Sequence, residues 1–453
     1  MSSNRLSRRD FVKAAAAFPA IVPSRVLGRS APSNLIQVAQ IGCGRIARAS
    51  EFPGILRHSD VARFVAVCDL DTVRLNDAKE LVERAYASKF ASGGYASVKT
   101  YRDYREMLED KSIDAVAIST PDHWHAQPAI EAALAGKDIY LQKPASLTIR
   151  EGRQMADVIK KTRRVLQLGS QQRSDAHFRL ACELVRNGRI GKIKQIFIGL
   201  PEDPAGEEAR EMPVPSNLDY DMWLGSTPAA YYTEKRVHPQ SNDLKVRYDR
   251  PGWLRCEQFG AGMITGWGAH HIDTAHWAMG TEFTGPVEVL ASAEFPKKGL
   301  WDVHGPYHVS ARYANGVEMY ISEKYPNGLR FIGEEGWIWV TRGASLDASD
   351  PKILTSGFKP GETRLHVSPR NDHHLDWLSS IRGRTEPVAP AEAGHRSCSA
   401  CLIAWAAMKL RRKLTWDPEH ERFVNDAEAN GLLARKQRAP YGTDAVLART
   451  QAS

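Results

Sequence analysis

The sequence predicts a two-domain α/β protein, with a doubly wound parallel sheet in the N-terminal part and a mainly antiparallel sheet in the C-terminal part. A chain of 453 residues is longer than one hydrophobic core usually serves. β-Branched runs alternate with helical patterns up to about residue 165, whereas strands of alternating apolar and polar residues dominate after residue 287. We therefore expect a first domain at 35–165, a second at 166–415 and a C-terminal extension at 416–453.

The composition is that of an ordinary globular protein, with 42% hydrophobic and 25% charged residues. The formal net charge of +8 is not concentrated in a Lys/Arg block interleaved with aromatic residues, so we expect no nucleic-acid partner. Six cysteines are too few for a disulfide scaffold. The Cys398 and Cys401 pair falls on a pattern that predicts a buried helix, which favours packing over metal binding, and we expect no metal ion.

The first residues resemble a bacterial twin-arginine export signal. Residues 7–13 (S-R-R-D-F-V-K) precede an apolar run at 14–22. That run is too short to span a bilayer, so no membrane insertion is expected. A processing point near residue 31 would leave a leader at 1–31, and the twin-arginine route would deliver a folded, cofactor-loaded protein to the periplasm.

A glycine-rich loop follows the first predicted strand. The strand covers 36–41, and residues 42–47 (G-C-G-R-I-A) then open a helix. Gly42 permits a tight turn, Gly44 lets backbone N–H groups approach a pyrophosphate, and the helix N-terminus supplies partial positive charge. This spacing predicts a Rossmann-type dinucleotide site.

An acidic residue ends the second predicted strand, at Asp69, about 25 residues further on. Its carboxylate is placed to accept the ribose hydroxyls of an adenosine, which favours NAD. Arg74 keeps NADP open as the alternative, because a guanidinium there would either stack on adenine or receive a 2′-phosphate.

Two further strand ends carry polar residues. The strand at 115–119 runs into residues 120–125 (T-P-D-H-W-H), and a short strand before Pro144 ends at Lys143. The carboxyl ends of parallel strands are where such folds bind ligands, so Lys143 is a candidate functional residue.

Taken in order, these landmarks resemble the Gfo/Idh/MocA family, which is named for glucose-fructose oxidoreductase and inositol dehydrogenase. The match rests on the glycine loop, Asp69, residues 120–125, residues 142–144 (Q-K-P, where the family has E-K-P) and residues 266–273 (G-W-G-A-H-H-I-D). The resemblance implies a C-terminal domain with an open sheet, a tightly held nicotinamide cofactor, a sugar or cyclitol substrate, and a homo-oligomer formed through the C-terminal sheet.

The resemblance also implies the site residues. Lys143, His270 and His271 are the candidate catalytic residues. The residues expected to hold the cofactor are Gly42, Gly44, Arg45, Ile46, Asp69, Arg74, Thr120, Pro121, His123, His125, Gln142, Lys143 and Gln171.

Two positions depart from the family pattern. Gln142 replaces the glutamate of E-K-P, and Gly266 stands where dehydrogenase members usually carry an aspartate four residues before the active-site histidine, here His270. A carboxylate that would position substrate or a proton donor is thereby missing at position 266. This puts ordinary dehydrogenation in question.

The segment from 268 to 277 is predicted to be a helix. At 100° per residue, His270, Asp273 and Trp277 share one face and His271 turns aside. A zinc site ranks below the other interpretations because these side chains do not converge and no H-E-x-x-H is present. The turn-rich stretch at 226–250 is expected to be a loop that covers the site.

Three functions remain open. The first is an exported NAD(P)-dependent oxidoreductase of sugars, cyclitols or glycosides, with Lys143 or neutral His270 as the base. The second is an NAD-dependent glycoside hydrolase that oxidises the sugar transiently, with His270 or His271 as a second base. The third is a sugar-binding protein without turnover.

Overall fold

The computed structural model describes residues 35–89, 97–343 and 345–452. It confirms the predicted fold class, because a parallel sheet in the N-terminal part is followed by a mainly antiparallel sheet. The predicted export signal and its processing point lie outside the described residues. Across those described, no helix combines the length and apolarity that a bilayer crossing requires.

The first sheet has six parallel strands in the order β3-β2-β1-β4-β5-β6. Helices cover both faces, which is why its strands, apart from the edge strand β3, are almost entirely buried. The sheet continues past residue 165, because Leu166 pairs with Ile139 and adds a sixth strand. The strands are β1 Ile36–Ile41, β2 Ala62–Cys68, β3 Lys99–Tyr101, β4 Ala115–Ile118, β5 Asp138–Leu141 and β6 Leu166–Leu168.

The helix after β1 is irregular. It starts directly after the glycine loop, passes through a π-helical turn at Ala47–Glu51 and continues as α1, Phe52–Leu56. Pro53 lies in the first turn of α1, where its missing N–H is tolerated. The other helices of this part are α2 Thr72–Lys89, α3 Tyr104–Glu109, α4 Ala126–Leu134 and α5 Ile149–Thr162, with a short 3₁₀ helix at Asp122–Trp124.

The second sheet has nine strands in the order β13-β12-β11-β7-β10-β9-β8-β14-β15. β7 and β10 pair in parallel, and the other neighbours are antiparallel. The predicted C-terminal extension begins inside this sheet, because Leu414 pairs with Val289. The strands are β7 Ile193–Gly199, β8 Glu288–Ala293, β9 Tyr307–Arg312, β10 Glu318–Ser322, β11 Gly328–Gly333, β12 Trp337–Thr341, β13 Ser345–Ala348, β14 Leu414–Asp417 and β15 Arg422–Phe423.

Helices cover one face of the second sheet. The helices that contact it are α6 Ala176–Arg186, α10 Gly268–Met279, α11 Pro351–Leu354, α13 Ala391–Leu410 and α14 Ala427–Asn430. The remaining helices are α7 Tyr220–Leu224, α8 Leu244–Arg247, α9 Met263–Gly266, α12 His373–Gly383 and α15 Thr443–Ala452, of which α8, α12 and α15 lie against the first part of the molecule. The α13 helix packs on β8, α10 and α5, and so joins the two parts. Cys398 and Cys401 are buried in α13 as free thiols. On the opposite face the Phe197 ring stacks on Tyr320 with centroids 5.2 Å apart, and both rings are half-buried.

A long connection, residues 200–262, leads from β7 to α9; we call it the insert. It crosses back to the first part of the molecule at the buried carboxylate of Asp71. Asn217 Nδ2 donates to Oδ1 at 2.8 Å, and Gln240 Nε2 donates to Oδ2 at 2.9 Å. His238 Nε2 lies 3.0 Å from the same Oδ2. One acidic side chain therefore fastens three side chains of the insert.

Candidate active site

A cleft lies at the carboxyl edge of the first sheet, between that sheet and the insert. Ligands bind such sheets where the strand order reverses, which is here between β1 and β4. The first part lines the cleft with Gly42, Gly44, Arg45, Ile46, Asp69, Arg74, Thr120, Pro121, Asp122, His125, Gln142 and Lys143. The insert contributes Met222, Trp223, His238, Asp249, Trp253 and Leu254, and the end of α9 contributes Gly266.

The glycine loop has the geometry that a close approach of backbone to ligand requires. Gly42 has φ +80°, and a Cβ there would lie 2.9 Å from the backbone carbonyl of Ser119. A Cβ on Gly44 would meet nothing nearer than the Arg74 Nη1, at 3.9 Å. Gly42 therefore makes the turn, and Gly44 leaves the loop open toward the cleft.

Asp69 lies in the cleft lining and holds the glycine loop. Its Oδ2 accepts a hydrogen bond from the Cys43 amide at 2.7 Å, and its Oδ1 accepts one from the Asp71 amide at 2.8 Å. Burial, together with the charge of Asp71, raises the pKa of Asp69 to about 6. The carboxylate thus joins the ends of β1 and β2 at the place where the sequence predicts a ribose.

The Arg74 guanidinium is bound by the insert. It donates to the Arg247 carbonyl and lies over the Tyr248 ring, 4.8 Å from the centroid. The Arg48 guanidinium lies over the same ring at 4.3 Å. Arg74 lines the cleft. Its guanidinium, which the sequence analysis expects to contact an adenine or a phosphate, is therefore already largely engaged by the insert.

The residues after β4 divide between the cleft and the interior. Thr120, Pro121 and His125 line the cleft. The His125 ring nitrogens lie 2.5 Å from the Pro144 carbonyl and 2.9 Å from the Thr120 carbonyl, so this ring ties the loops after β4 and β5 together. His123 instead packs against Phe259 and lies 2.8 Å from the Trp223 carbonyl, away from the cleft lining.

Lys143 follows β5, and its side chain points to the junction between α9 and α10. Its Nζ donates to the Gly266 carbonyl at 2.7 Å. That carbonyl is free because α9 ends at Gly266 and α10 begins only at Gly268. Burial lowers the pKa of Lys143 to about 8; Asp122 opposes this shift and the guanidinium of Arg342 adds to it. A neutral amine is therefore accessible close to neutral pH.

A buried glutamate compensates for Gln142. The Gln142 Nε2 donates to Glu51 Oε1 at 2.7 Å, and Ser119 Oγ donates to Glu51 Oε2 at 2.9 Å. Gln142 Oε1 in turn accepts from the Lys143 amide at 3.2 Å. Glu51, in the π-helical turn, thus places a carboxyl group directly against the amide that replaces the E-K-P glutamate.

The structure separates the two candidate histidines. The Nδ1 of His270 is buried without a partner among the described residues, and burial, with Arg342 and Lys143 acting in the same direction, lowers the pKa of this imidazole well below its ordinary value. His271 is fully buried, with Nε2 2.9 Å from Asn327 Oδ1 and Nδ1 3.4 Å from Gln172 Nε2. Neither ring is part of the cleft lining as far as the described residues go.

Asp273, one turn after His270, forms a buried ion pair. Arg173 Nε and Nη2 donate to its two carboxylate oxygens at 2.7 and 2.8 Å, and Ser397 Oγ donates at 2.8 Å. This pairing leaves Asp273 unavailable to a metal. Among the described residues no three His, Cys, Asp or Glu side chains are grouped to hold a metal ion.

Gln171 lies outside the main cleft. Its Nε2 donates to the Tyr140 hydroxyl at 3.1 Å, and the residue borders a separate shallow depression together with Asp175 and His177. Sequence reasoning placed it with the cofactor-binding residues, which in the structure lie at the glycine loop and after β4 and β5.

Sequence reasoning passed over three residues of the site. Asp122 stands inside the 120–125 motif, and its position directly after a buried strand was the available signal. Arg342 lies over the Trp267 ring, 5.0 Å from the centroid. Glu51 is fully buried. Neither Arg342 nor Glu51 carries a local signal, because the tertiary fold brings them to the site.

Comparisons with known proteins agree with this architecture. Residues 36–170 match the family described as oxidoreductase family, NAD-binding Rossmann fold, GFO_IDH_MocA. Residues 204–443 match the family described as oxidoreductase family, C-terminal alpha/beta domain, GFO_IDH_MocA_C2. The second match alone spans more than half of the chain, and together the two cover the first sheet and all of the second except β7.

The chain is similar to a myo-inositol 2-dehydrogenase of Thermotoga maritima, with 28% identity over 197 residues, which are 44% of this chain and 54% of that protein. It is also similar to glycosyl hydrolase family 109 protein 2 of Shewanella sp. (strain ANA-3), with 29% identity over 163 residues, 35% of this chain and 33% of that protein. The chain therefore spans about half, or less, of the length of these curated relatives.

Solved structures share the fold at low sequence identity. The WlbA dehydrogenase from Chromobacterium violaceum in complex with NADH and UDP-GlcNAcA has a TM-score of 0.61 at 20% identity, over 84% of this chain and 96% of that one. The aldose-aldose oxidoreductase from Caulobacter crescentus complexed with glycerol has a TM-score of 0.59 at 18% identity, over 84% and 99%. At these identities the likeness is one of fold.

Proposed function

Because the chain belongs to the Gfo/Idh/MocA oxidoreductase family, we propose that it is an NAD-dependent oxidoreductase that acts on a sugar, a cyclitol or a glycoside. The observation that carries the proposal is the place of Lys143. A half-buried amine with a lowered pKa lines the same cleft as the glycine loop. Perturbed bases in a ligand-sized cleft are typical of catalytic sites.

The residues present fit a dinucleotide. The tight turn at Gly42, the open backbone at Gly44 and the helix that follows form a cradle for a diphosphate. Arg45, which lines the cleft beside this cradle, supplies positive charge. Bound NAD⁺ would accept a hydride from the substrate carbon at this site.

Asp69 favours NAD over NADP in this proposal. The two oxygens of its carboxylate already accept backbone amides, and both retain lone pairs that adenosine ribose hydroxyls can fill. A 2′-phosphate would place negative charge against this carboxylate. Arg74, the residue that would offset that charge, is engaged by the Arg247 carbonyl and the Tyr248 ring.

Lys143 is assigned the role of general base. The neutral amine takes the proton of the substrate hydroxyl as the hydride leaves the adjacent carbon, and the Gly266 carbonyl holds Nζ in place. The flanking Gln142 to Glu51 pair fixes the backbone that carries Lys143. His270 lies outside the cleft lining of the described residues; burial, with the charges of Arg342 and Lys143, lowers its pKa, so this imidazole stays neutral.

We further propose that the cofactor is held tightly. The insert contributes His238, Asp249 and Trp253 to the cleft, so it covers the ligand from the side opposite the sheet. Its attachment to Asp71 and to Arg74 makes this cover part of the folded structure. A cofactor loaded during folding accords with the proposed twin-arginine export to the periplasm.

The decisive experiment separates the three candidate functions. The purified protein is incubated with a panel of sugars, cyclitols and aryl glycosides, while nicotinamide absorbance and phenol release are recorded together. Net formation of NADH with a polyol or sugar supports the oxidoreductase. Nucleotide that stays bound without any turnover, accompanied by sugar binding in calorimetry, would replace the proposal by a binding protein.

A glycoside hydrolase that oxidises its sugar transiently is the second candidate. Gly266 favours it, because the carboxylate that dehydrogenases of the family usually carry at this position is absent. The similarity to a glycosyl hydrolase family 109 protein points the same way. Phenol release without net NADH would select this function.

We also propose that two copies associate through the outer face of the second sheet. Phe197, Tyr320 and Trp337 are half-buried on this face, and Leu290 is 51% exposed. Apolar side chains on an uncovered sheet are typical of a subunit interface. Sedimentation of the wild-type protein and of Leu290→Glu tests it, and a monomeric wild type would end the proposal.

A further inference from the structure

The missing carboxylate at position 266 has a replacement in the cleft. Three carboxylates line the cleft, those of Asp69, Asp122 and Asp249. Asp69 is bound to the glycine loop, and Asp249 acts on Arg45. Asp122 is left as the carboxylate that faces Lys143.

Sheet register brings Asp122 and Lys143 together. β4 and β5 are parallel neighbours, and Ile118 pairs with Leu141 at their carboxyl ends. Asp122 follows the first of these residues by four positions, and Lys143 follows the second by two. Both side chains therefore emerge at the same edge of the sheet and line the same cleft.

Within the described parts of the chain, no other residue forms a hydrogen bond or ion pair with the Asp122 carboxylate. The residue is 5% exposed. Its carboxylate accepts a hydrogen bond from its own backbone amide. Gly260 lies directly over it, since a Cβ at that position would be 3.2 Å from Oδ2. A buried carboxylate needs either a proton or a cation to offset its desolvation. Lys143 is the cation on hand.

We propose that Asp122 supplies the carboxylate that position 266 lacks, and that it acts across the cleft as the countercharge of Lys143. The inference rests on the proposed oxidoreductase function. In the step, the substrate C–H electron pair leaves as hydride to the oxidised nicotinamide, and the hydroxyl O–H proton forms a new N–H bond at Lys143. The hydride would neutralise the nicotinamide ring and the proton would place the positive charge on Lys143, so the net charge of the site is unchanged and Asp122 offsets the new ammonium. The proton then leaves to solvent.

The pair faces other titratable groups, which set its background. Three guanidiniums, those of Arg45, Arg250 and Arg342, act on Lys143 from the glycine loop, the insert and the end of β12. The imidazoles of His125 and His270 respond to Lys143, as does the Cys401 thiol, while the Cys398 thiol responds to Asp122. Since the guanidiniums, the ammonium and the imidazoles carry either positive charge or none, Asp122 is the group that can favour the ammonium of Lys143.

Asp122 is in this scheme a positioning residue that acts through Lys143, and the test measures Lys143 itself. The rate of acylation of Lys143 by an amine reagent is followed by peptide mass spectrometry from pH 6 to 11. In the wild type we expect a midpoint near pH 8. In Asp122→Asn we expect the midpoint to fall by about one unit, because an opposite charge that favoured the ammonium is gone.

Glu151→Gln is the matched control. Glu151 is also a buried carboxyl group, but it lies in the capping box of α5 and glutamine can serve there. Its removal should leave the Lys143 midpoint unchanged. An unshifted midpoint in folded Asp122→Asn, or an equal shift in Glu151→Gln, would overturn the inference.

The reciprocal measurement does not require Asp122→Asn to fold. In Lys143→Met the carboxyl of Asp122 loses its cation, so its protonated form, visible as a carboxylic C=O band in infrared difference spectra, should persist to higher pH than in the wild type. If the Asp122 carboxyl titrates at the same pH in Lys143→Met as in the wild type, the inference is wrong. Neither readout uses a substrate, so a wrong substrate class would leave both intact and would show only as absent turnover.

Discussion

Asp122 and Asp273 are both buried carboxylates near a cation, but they differ in how many hydrogen-bond donors the protein supplies to them. Asp273 receives two hydrogen bonds from Arg173 and one from Ser397. Asp122 receives only its own amide from the described residues, and its charge partner Lys143 donates instead to a carbonyl. A carboxylate whose acceptor sites are filled by protein holds the structure together. One left unfilled beside a cleft retains capacity for protons and ligands.

Lys143→Ala should have the largest effect. We expect turnover to fall at least about a thousandfold, since general-base catalysis contributes roughly 10²–10⁴ and Lys143 also orders the Gly266 region. Bound nucleotide, measured by absorbance after denaturation, should remain. Turnover within tenfold of the wild type would remove Lys143 from the mechanism.

Arg173→Met tests the other member of the comparison. The change leaves Asp273 buried without its cation, and we expect a loss of about 3–5 kcal/mol in the free energy of unfolding. Urea denaturation followed by fluorescence measures it. The control is Arg84→Met, whose exposed pair with Glu80 should contribute less than about 1 kcal/mol. Equal losses in the two variants would contradict the distinction drawn above.

The pH dependence of the wild type follows from Lys143. Burial lowers the pKa of its ammonium to about 8, and the base form is the neutral amine. Oxidation should therefore be slow at pH 6, rise about tenfold per unit and level off above pH 8. Initial rates of NADH formation from pH 6 to 10 test this. A rate that falls over the same interval would assign the essential proton to an acid.

Asp69→Asn should weaken retention of the nucleotide. Hydrogen bonds to a charged acceptor contribute about 1.5–3 kcal/mol, so a loss of roughly 10- to 100-fold in affinity is expected. The nucleotide content of the purified protein after extensive dialysis measures it. Asp60→Asn, an exposed aspartate outside the cleft, is the control. Equal nucleotide content in the two variants would argue against the ribose role of Asp69.

The smallest effect is expected from Gln142→Glu, which restores the family's E-K-P. The change sets a carboxylate against Glu51, where an amide now donates at 2.7 Å, and should destabilise the protein by about 1–3 kcal/mol. Adding Glu51→Gln exchanges the two partners and should recover most of the loss. A double-mutant cycle in thermal unfolding gives the coupling, and additive effects would show that the pair does not interact.

The sequence was sufficient for those parts of the site that adjacent residues encode. The glycine loop, Asp69 and Lys143 each follow a strand that the sequence pattern predicts. Their position at one edge of the sheet could therefore be predicted as well. The alternating strands predicted after residue 287 were likewise found, because one buried face imposes alternation.

What could not be predicted depends on contacts between distant segments. Glu51 reaches Gln142 across 91 residues, and Asp71 reaches His238 across 167. The insert has few regular elements, so no periodicity indicates which of its side chains face the nucleotide-binding half. Helical spacing already turned His271 away from His270, but its partners Asn327 and Gln172 lie on distant segments that no local pattern indicates.

The attachment of the insert at Asp71 bears on the kinetics of nucleotide exchange. Although burial opposes it, hydrogen bonds from His238, Gln240 and Asn217 keep the pKa of Asp71 well below its usual range, so the fastening stays ionised at physiological pH. A ligand enclosed beneath the insert would dissociate no faster than these hydrogen bonds to Asp71 open. Its residence time would then be governed by one aspartate outside the glycine loop, and loosening Asp71 would turn a resident prosthetic group into an exchangeable co-substrate.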